Sequence, residues 1–400
     1  MFHPSKSQAH RVLIAAALAE GQSVISNVAF SQDIRATIAC LGELGAEFSQ
    51  AGNTVTVRGM GANAMSPNRR MAYPRLDCGE SGSTLRFLIP IALATRGGGI
   101  FMGHGRLMER PQGPYETLFR EKGIFWEQKD GTLTVQGLLE PGEYRLAGTV
   151  SSQFFTGRFY ALPLLGGPCA LVPTTPLESE GYIHMTLEAL GRFGVEFPAT
   201  LSLPPQWHTP GGQTYAPADV SVEADWSQAG FWYAARLLGG AVETAGMNAA
   251  SLQGDAAIAR YAADLAGAGD VDIDVSQCPD LVPPLAAMAA LRGGRRTRLT
   301  NAARLRMKES DRLTAVAATL NALGARVTEG SDFLEFQGVE TLTGGTVDSF
   351  HDHRIAMMAA IAATRSAGPV TLTGAEAVEK SYPDFWEEYQ RLGGKLTWNT

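Results

Sequence analysis

The stretch "SKSQAHRVLIAAALAEGQSVISN", Ser5 to Asn27, holds the pattern that decides the fold. A polar opening runs into an Ala- and Leu-rich segment in which Val12, Ala15, Ala16 and Leu18 recur at helical intervals, so a helix is predicted there. The Gly after "LAE" fits a left-handed cap, a conformation that residues with a Cβ adopt only at a steric cost. The β-branched "SVIS" then reads as a short strand. Further along, a second helix closes at "LGELGAEF", and "TVTVRG" alternates as a half-buried strand does.

The same phrase returns along the chain. Its Gly turns are "AEGQSVISN", "TRGGGIFMG", "LGGPCALVP", "LGGAVETAG", "RGGRRTRLTN" and "SAGPVTLTG". Its second helices close at "LGELGAEF", "FREKGIFW", "LGRFGVEF", "LAGAGDVDI", "LNALGARV" and "QRLGGKLTW". First helices open near Lys6, Gly82, Ser152, Ser227, Asp280 and His353. The predicted unit is β-α-β-α-β-β, repeated six times. One such unit cannot bury its own helices, so copies must share a core. Three per domain give an α/β protein of two domains, residues 5–222 and 223–400 (with 1–4). The Pro- and Gly-rich "PPQWHTPGGQTYAPAD" (Pro204 to Asp219) lies just before the predicted crossing.

Composition narrows the function. A chain of 400 residues with 45% apolar and 18% charged residues matches globular proteins, and a length of this kind implies more than one core. No apolar run approaches the roughly 18 residues of a membrane span, so no membrane partner is expected. A net charge of −7 speaks against nucleic-acid binding, which needs a basic surface. Cys40, Cys78, Cys169 and Cys278 lack paired spacing, which points away from a zinc site or disulfide framework and towards reduced thiols in the cytoplasm.

Chemistry gathers where helices begin. Ser, Asp and Gly at such points are ordinary caps. Cations there oppose the helix dipole. Lys6, Arg110, Lys308, Arg312, Arg354 and Lys380 nonetheless stand at or just before predicted helix starts. The arrangement makes sense if anions bind between helix ends and cations. Only six of the 33 basic residues are Lys, and three of the six belong to this set. Glu309 and Asp280 join them as candidate acid–base groups. Glu309 is equally spaced as an i,i+3 partner of Arg312. His351 and His353 in "HDHR" lack a third ligand at a sensible spacing, so no metal is expected.

The motifs "PSKS", "GESGSTLR", "RLMERP", "VSSQ", "MKESDR", "DHRIAM" and "EKSYPDF" occur in order over nearly the whole chain. Singly they are weak; as an ordered set they resemble the 5-enolpyruvylshikimate-3-phosphate synthases of the enolpyruvyl transferase family. The resemblance implies a two-domain inside-out α/β barrel with an interdomain active site, acting as a monomer. It implies a transferase of the shikimate pathway that joins phosphoenolpyruvate to shikimate 3-phosphate, with no metal or organic cofactor. Carried over by position, Lys6, Gly82, Arg110, Gln153, Arg312, Arg354 and Lys380 match phosphoenolpyruvate contacts. Ser7, Arg11, Ser151, Ser152, Gln153, Ser179, Asp280 and Lys308 match shikimate-phosphate contacts. Asp280 resembles the group that takes the 5-hydroxyl proton, and Glu309 with Lys6 the pair that handles the proton at C3.

This sequence departs from the family pattern in three places. The family's usual strand ahead of the first motif has no counterpart before Pro4, so either the sequence starts inside a longer chain or the second domain lacks that strand. Arg304 stands where many members have Asn, and Glu80 replaces the usual Asn beside Gly82. Two rivals follow. The UDP-N-acetylglucosamine enolpyruvyl transferases share the chemistry but carry a reactive Cys in the loop that reads "GHGRLMERPQG" here, which has none. A catalytically weak, ligand-binding member of the fold is the other.

Overall fold

The computed structural model describes residues 2–61, 72–149 and 151–398. Both helices of all six predicted units are present. The first helices are Lys6–Leu18, Gly82–Arg96, Gln153–Ala161, Trp226–Leu237, Val282–Ala290 and His353–Ala363. The second are Gln32–Leu44, Gly113–Glu121, Glu180–Arg192, Ile258–Ala266, Arg312–Ala322 and Phe385–Arg391. Side-chain caps set many starts: Ser5, Ser31, Ser81, Asp225, Asp311 and Asp352 each accept a backbone N–H of the following turn. The helix expected near Asp280 begins as the 3-10 turn Pro279–Leu281, because Pro283 and Pro284 supply no N–H to the first turn.

The strands are less regular than the helices. Gln22–Ser26 pairs antiparallel with Thr54–Arg58, which pairs with Glu47–Ala51, while Val220–Ser221 runs parallel on the other edge. Gly98–Met102 repeats this arrangement with Thr132–Gln136, Phe125–Lys129 and Arg75–Asp77. So does Arg296–Thr300 with Leu334–Gln337, Val327–Glu329 and Val271–Asp274. Cys169–Pro173 lies between Gly142–Leu146 and Trp207–Thr209, and Gly345–Asp348 pairs with Val370–Thr373.

Of the strands predicted after the Gly turns and after the second helices, three are missing among the described residues. The closing segments "GVEF" and "GKLTW" form no ladder, and neither does 241–246 after the fourth Gly turn. In that last stretch the alternation survives without a sheet: Val242 and Thr244 are buried, and Thr244 Oγ1 accepts Arg236 at 2.7 Å. A strand exists only where a neighbour completes its hydrogen bonds, and among the described residues none runs beside it. Ahead of the first helix, His3 O accepts Asp225 N–H and Ser5 N–H donates to Glu223 O, each at 2.8 Å, with no strand formed.

The chain divides into two compact units, Pro4–Glu223 and a second made of residues 1–3 and 224–400. The first core joins the inward faces of its helices and sheets, with Leu13, Ile14, Leu85, Phe87, Phe155 and Phe159 at its centre. The second joins Phe231, Leu285, Met288, Val316, Met357 and Ile361. Each core is closed within its own unit.

Candidate active site

In the second unit, three helix starts bring charge together. Asp280, on the 3-10 turn before Val282–Ala290, is reached by three cations. Its Oδ1 accepts Lys308 at 3.2 Å and Arg312 at 2.9 Å, and its Oδ2 accepts Arg354 at 3.2 Å. Arg354 also donates to the Asp280 carbonyl at 3.0 Å. Arg312 is almost wholly enclosed; it donates to Glu309 at 2.7 Å and to Asp352 at 2.9 and 3.3 Å. Asp352 caps the helix His353–Ala363 through the Arg354 N–H and takes the Ser310 hydroxyl at 3.1 Å.

These pairs set the protonation states. Burial alone would raise the Asp280 carboxyl, but Arg354, Lys308 and Arg312 hold it well below the ordinary carboxylate range, against a smaller opposing effect from Glu309. Burial lowers the Lys308 ammonium while Asp280 raises it. Arg312 resists burial because Asp352, Glu309 and Asp280 all favour its charge, so its pKa lies above the ordinary value. Lys380 is buried at the end of the 3-10 turn Ala375–Lys380. The next residue, Ser381, is anchored by Gln228 at 2.9 Å. Arg304, standing where many members of the resembled family have Asn, donates to the Ser276 carbonyl.

In the first unit, Lys6 opens its helix and donates to Asp33 Oδ2 at 2.8 Å. Gly82 opens another, and a Cβ there would come within 2.9 Å of the Arg110 guanidinium, so only Gly lets that cation lie so close. Gln153 accepts Arg86 at 2.8 Å and donates to Ser83 at 3.1 Å. Arg86 also stacks over Phe154 and reaches the Pro111 carbonyl at 3.1 Å. Ser151 takes the Gln153 N–H at 3.3 Å, and Ser152 stands at the cap of the same helix. Arg11 is buried, donating to Ser7 O at 2.7 Å, Thr186 at 2.9 Å and Tyr182 O at 3.0 Å. Ser179 holds a left-handed φ of 57° at the start of Glu180–Arg192, a strained position of the kind found at functional sites. Glu80 lies so close to Gly105 that a Cβ there would be 2.5 Å from its carboxylate.

A family model described as EPSP synthase (3-phosphoshikimate 1-carboxyvinyltransferase) matches residues 2–389. The chain belongs to the EPSP synthase family. It is 43% identical to the 3-phosphoshikimate 1-carboxyvinyltransferase of Clostridium kluyveri over 98% of this chain and 94% of that protein. The protein of the same name from Clostridium acetobutylicum is 42% identical over the same shares. A solved structure of EPSP synthase from Acinetobacter baumannii superposes with a TM-score of 0.78 at 25% identity, covering 99% of this chain and 95% of that one.

Within this member of the EPSP synthase family, sequence reasoning overlooked several charged partners. Asp33 and Asp352 each hold a cation named above, yet in sequence both stand at helix starts and read as caps. Arg86 closes the motif "GESGSTLR" but lies a turn inside its helix, and no role was assigned to it. Asp255 is fully buried and takes the Ser227 hydroxyl. Burial, and then the Asp280 charge, push its carboxyl up to about 6.

Proposed function

We propose that this chain transfers the enolpyruvyl group of phosphoenolpyruvate to the 5-hydroxyl of shikimate 3-phosphate, releasing phosphate. Membership of the EPSP synthase family supports the reaction. The observation that carries the residue roles is the buried Asp280 with Lys308, Arg312 and Arg354 around it. These cations converge on Asp280 while Glu309 and Asp352 share Arg312, so the cluster gathers several donors of charge-assisted bonds that an anionic substrate can use.

In the proposed sequence, Asp280 accepts the 5-hydroxyl proton as that oxygen bonds to C2 of the enol. C3 gains a proton at the same stage, and Glu309 and Lys6 are the groups proposed to exchange it. The bond from C2 to the phosphate oxygen then breaks, phosphate leaves, and C3 gives a proton back to form the new enol ether. At rest the surrounding cations make Asp280 a weak base. When substrate anions engage Lys308, Arg312 and Arg354, part of that positive field is neutralised and the basicity of Asp280 rises. Arg110, Gln153, Arg354 and Lys380, with Gly82 leaving room, are proposed to bind phosphoenolpyruvate alongside Lys6 and Arg312. Ser7, Arg11, Ser151, Ser152, Gln153, Ser179 and Lys308 are proposed for the shikimate phosphate.

We further propose that the two units are the two three-repeat domains, and that a monomer is the working form. Four free, buried thiols support a cytoplasmic location. The test is inorganic phosphate release with phosphoenolpyruvate and either shikimate 3-phosphate or UDP-N-acetylglucosamine. Release with shikimate 3-phosphate alone is the expected result. Release with only the nucleotide sugar, or silence from folded protein with both, overturns the assignment.

A further inference from the structure

The first unit contains a buried polar chain that none of the roles above uses. His10 sits one turn along from Lys6 on Lys6–Leu18 and is enclosed. Its Nδ1 lies 2.8 Å from Thr37 Oγ1, which lies 2.6 Å from Thr84 Oγ1, which donates to Ser81 Oγ at 2.7 Å. Thr37, Thr84 and Ser81 are as fully buried as His10. The chain therefore runs across the starts of three helices: Lys6–Leu18, Gln32–Leu44 and Gly82–Arg96.

The Thr84–Ser81 end of the chain meets the surroundings of two residues assigned to phosphoenolpyruvate, Lys6 and Gly82. Thr84 Oγ1 stands 3.5 Å from the carbonyl of Asp33, whose carboxylate holds Lys6. Ser81 Oγ accepts the Thr84 N–H at 3.1 Å and so caps the helix that Gly82 opens.

His10 contributes through one nitrogen only. Burial pushes its pKa down to about 3; Asp33 raises it, while Lys6 and Arg11 lower it further, so the ring is neutral. Among the described residues its Nε2 has no hydrogen-bond partner. A leucine would fill this apolar space without leaving a ring nitrogen unsatisfied, so what His adds is the bond from Nδ1 to Thr37. Each hydroxyl owns a single hydrogen, so the tautomer at His10 orders the donors and acceptors that follow it.

We propose that His10 is a positioning residue for phosphoenolpyruvate binding, acting through Thr37 and Thr84 on the Lys6–Asp33 pair and on the Ser81 cap beside Gly82. This rests on the assignment of Lys6 and Gly82 to phosphoenolpyruvate. Cutting the chain leaves a buried hydroxyl short of a partner, and the helix starts shift to recover one. The displaced atoms are the Lys6 ammonium and the first turn at Gly82, while the core beneath is unchanged.

The experiment compares Thr37→Val, His10→Leu, His10→Asn and the double variant Thr37→Val/His10→Leu with the wild-type enzyme. Valine matches threonine in shape, so Thr37→Val tests the chain even if His10→Leu does not fold. We expect Thr37→Val and His10→Leu to raise KM for phosphoenolpyruvate about tenfold, the loss of one misplaced charge-assisted contact. KM for shikimate 3-phosphate should stay within about twofold, and the double variant should be no worse than either single one. His10→Asn places an amide atom where Nδ1 was and should restore KM to within about twofold of wild type. Unchanged kinetics in Thr37→Val, an equal rise in both KM values, or no rescue by Asn overturns the role of His10. A wild-type protein that releases no phosphate overturns the reaction itself, which separates the two failures.

Discussion

Glu309 serves two purposes in its contacts: it balances Arg312 at 2.7 Å and stands beside Asp280 in the same charge cluster. Glu309→Gln keeps the shape and an oxygen for Arg312 but cannot carry a proton. We expect kcat to fall by about 10²–10⁴-fold, the range for loss of a general acid–base, with a much smaller change in KM. Near-normal turnover in steady-state assays removes Glu309 from proton transfer. Asp255 gives a second residue-scale prediction. Its folded carboxyl titrates at about 6, while an unfolded Asp titrates near 4. The folded state thus binds this proton more tightly, so the stability it contributes is complete below about pH 4 and is lost as pH rises through about 6. Asp255→Asn imitates the neutral form. Near pH 7 it should exceed wild type by roughly 3 kcal/mol, and near pH 4 the two should converge. Thermal unfolding from pH 4 to 7 checks this, and parallel Tm curves would rule it out.

At the scale of elements, Gly157 lets two helices meet. A Cβ there would lie 2.6 Å from the Arg86 carbonyl, 2.7 Å from the Tyr115 hydroxyl and 2.8 Å from Pro90. Tyr115, on Gly113–Glu121, reaches Arg86 O at 2.7 Å and Phe154 O at 3.2 Å, tying Gly82–Arg96 to the helix that carries Gln153. Gly157→Ala should therefore cost about 1–3 kcal/mol by overpacking and loosen the Arg86–Gln153 pair. A Tm equal to wild type in a thermal melt would contradict it. The helices were legible in the sequence because periodic apolar positions, Ser and Asp caps and Gly turns are local signals. Strand 241–246 was misjudged because alternation records which side chains face inward, as Val242 and Thr244 do, but not whether a neighbour lies alongside. The site divides the same way. Cations at helix starts marked Lys6, Lys308, Arg312 and Arg354. Asp33 and Asp352 escaped notice because their partners are distant in sequence: Asp33 is paired with Lys6, and Asp352 with Arg312.

At the scale of the molecule, the two units differ in how the chain builds them. Pro4–Glu223 is continuous, whereas the other unit is assembled from both ends of the sequence. The continuous unit has a closed core running from Ala9 to Val222, and its sheets pair only strands within it. A segment of this length is large enough to bury a stable core by itself. Residues 4–223 expressed alone should therefore unfold in one cooperative transition, followed by circular dichroism, with native-like helix content. The same fragment lacks Asp280, Lys308, Glu309, Arg312, Arg354 and Lys380, so it should release no phosphate from the two substrates. A fragment that remains unfolded would mean that residues 224–400 supply stability the core contacts do not reveal. A fragment that turns over would mean that the chemistry does not need the Asp280 cluster, and the residue roles proposed for that unit would have to be abandoned.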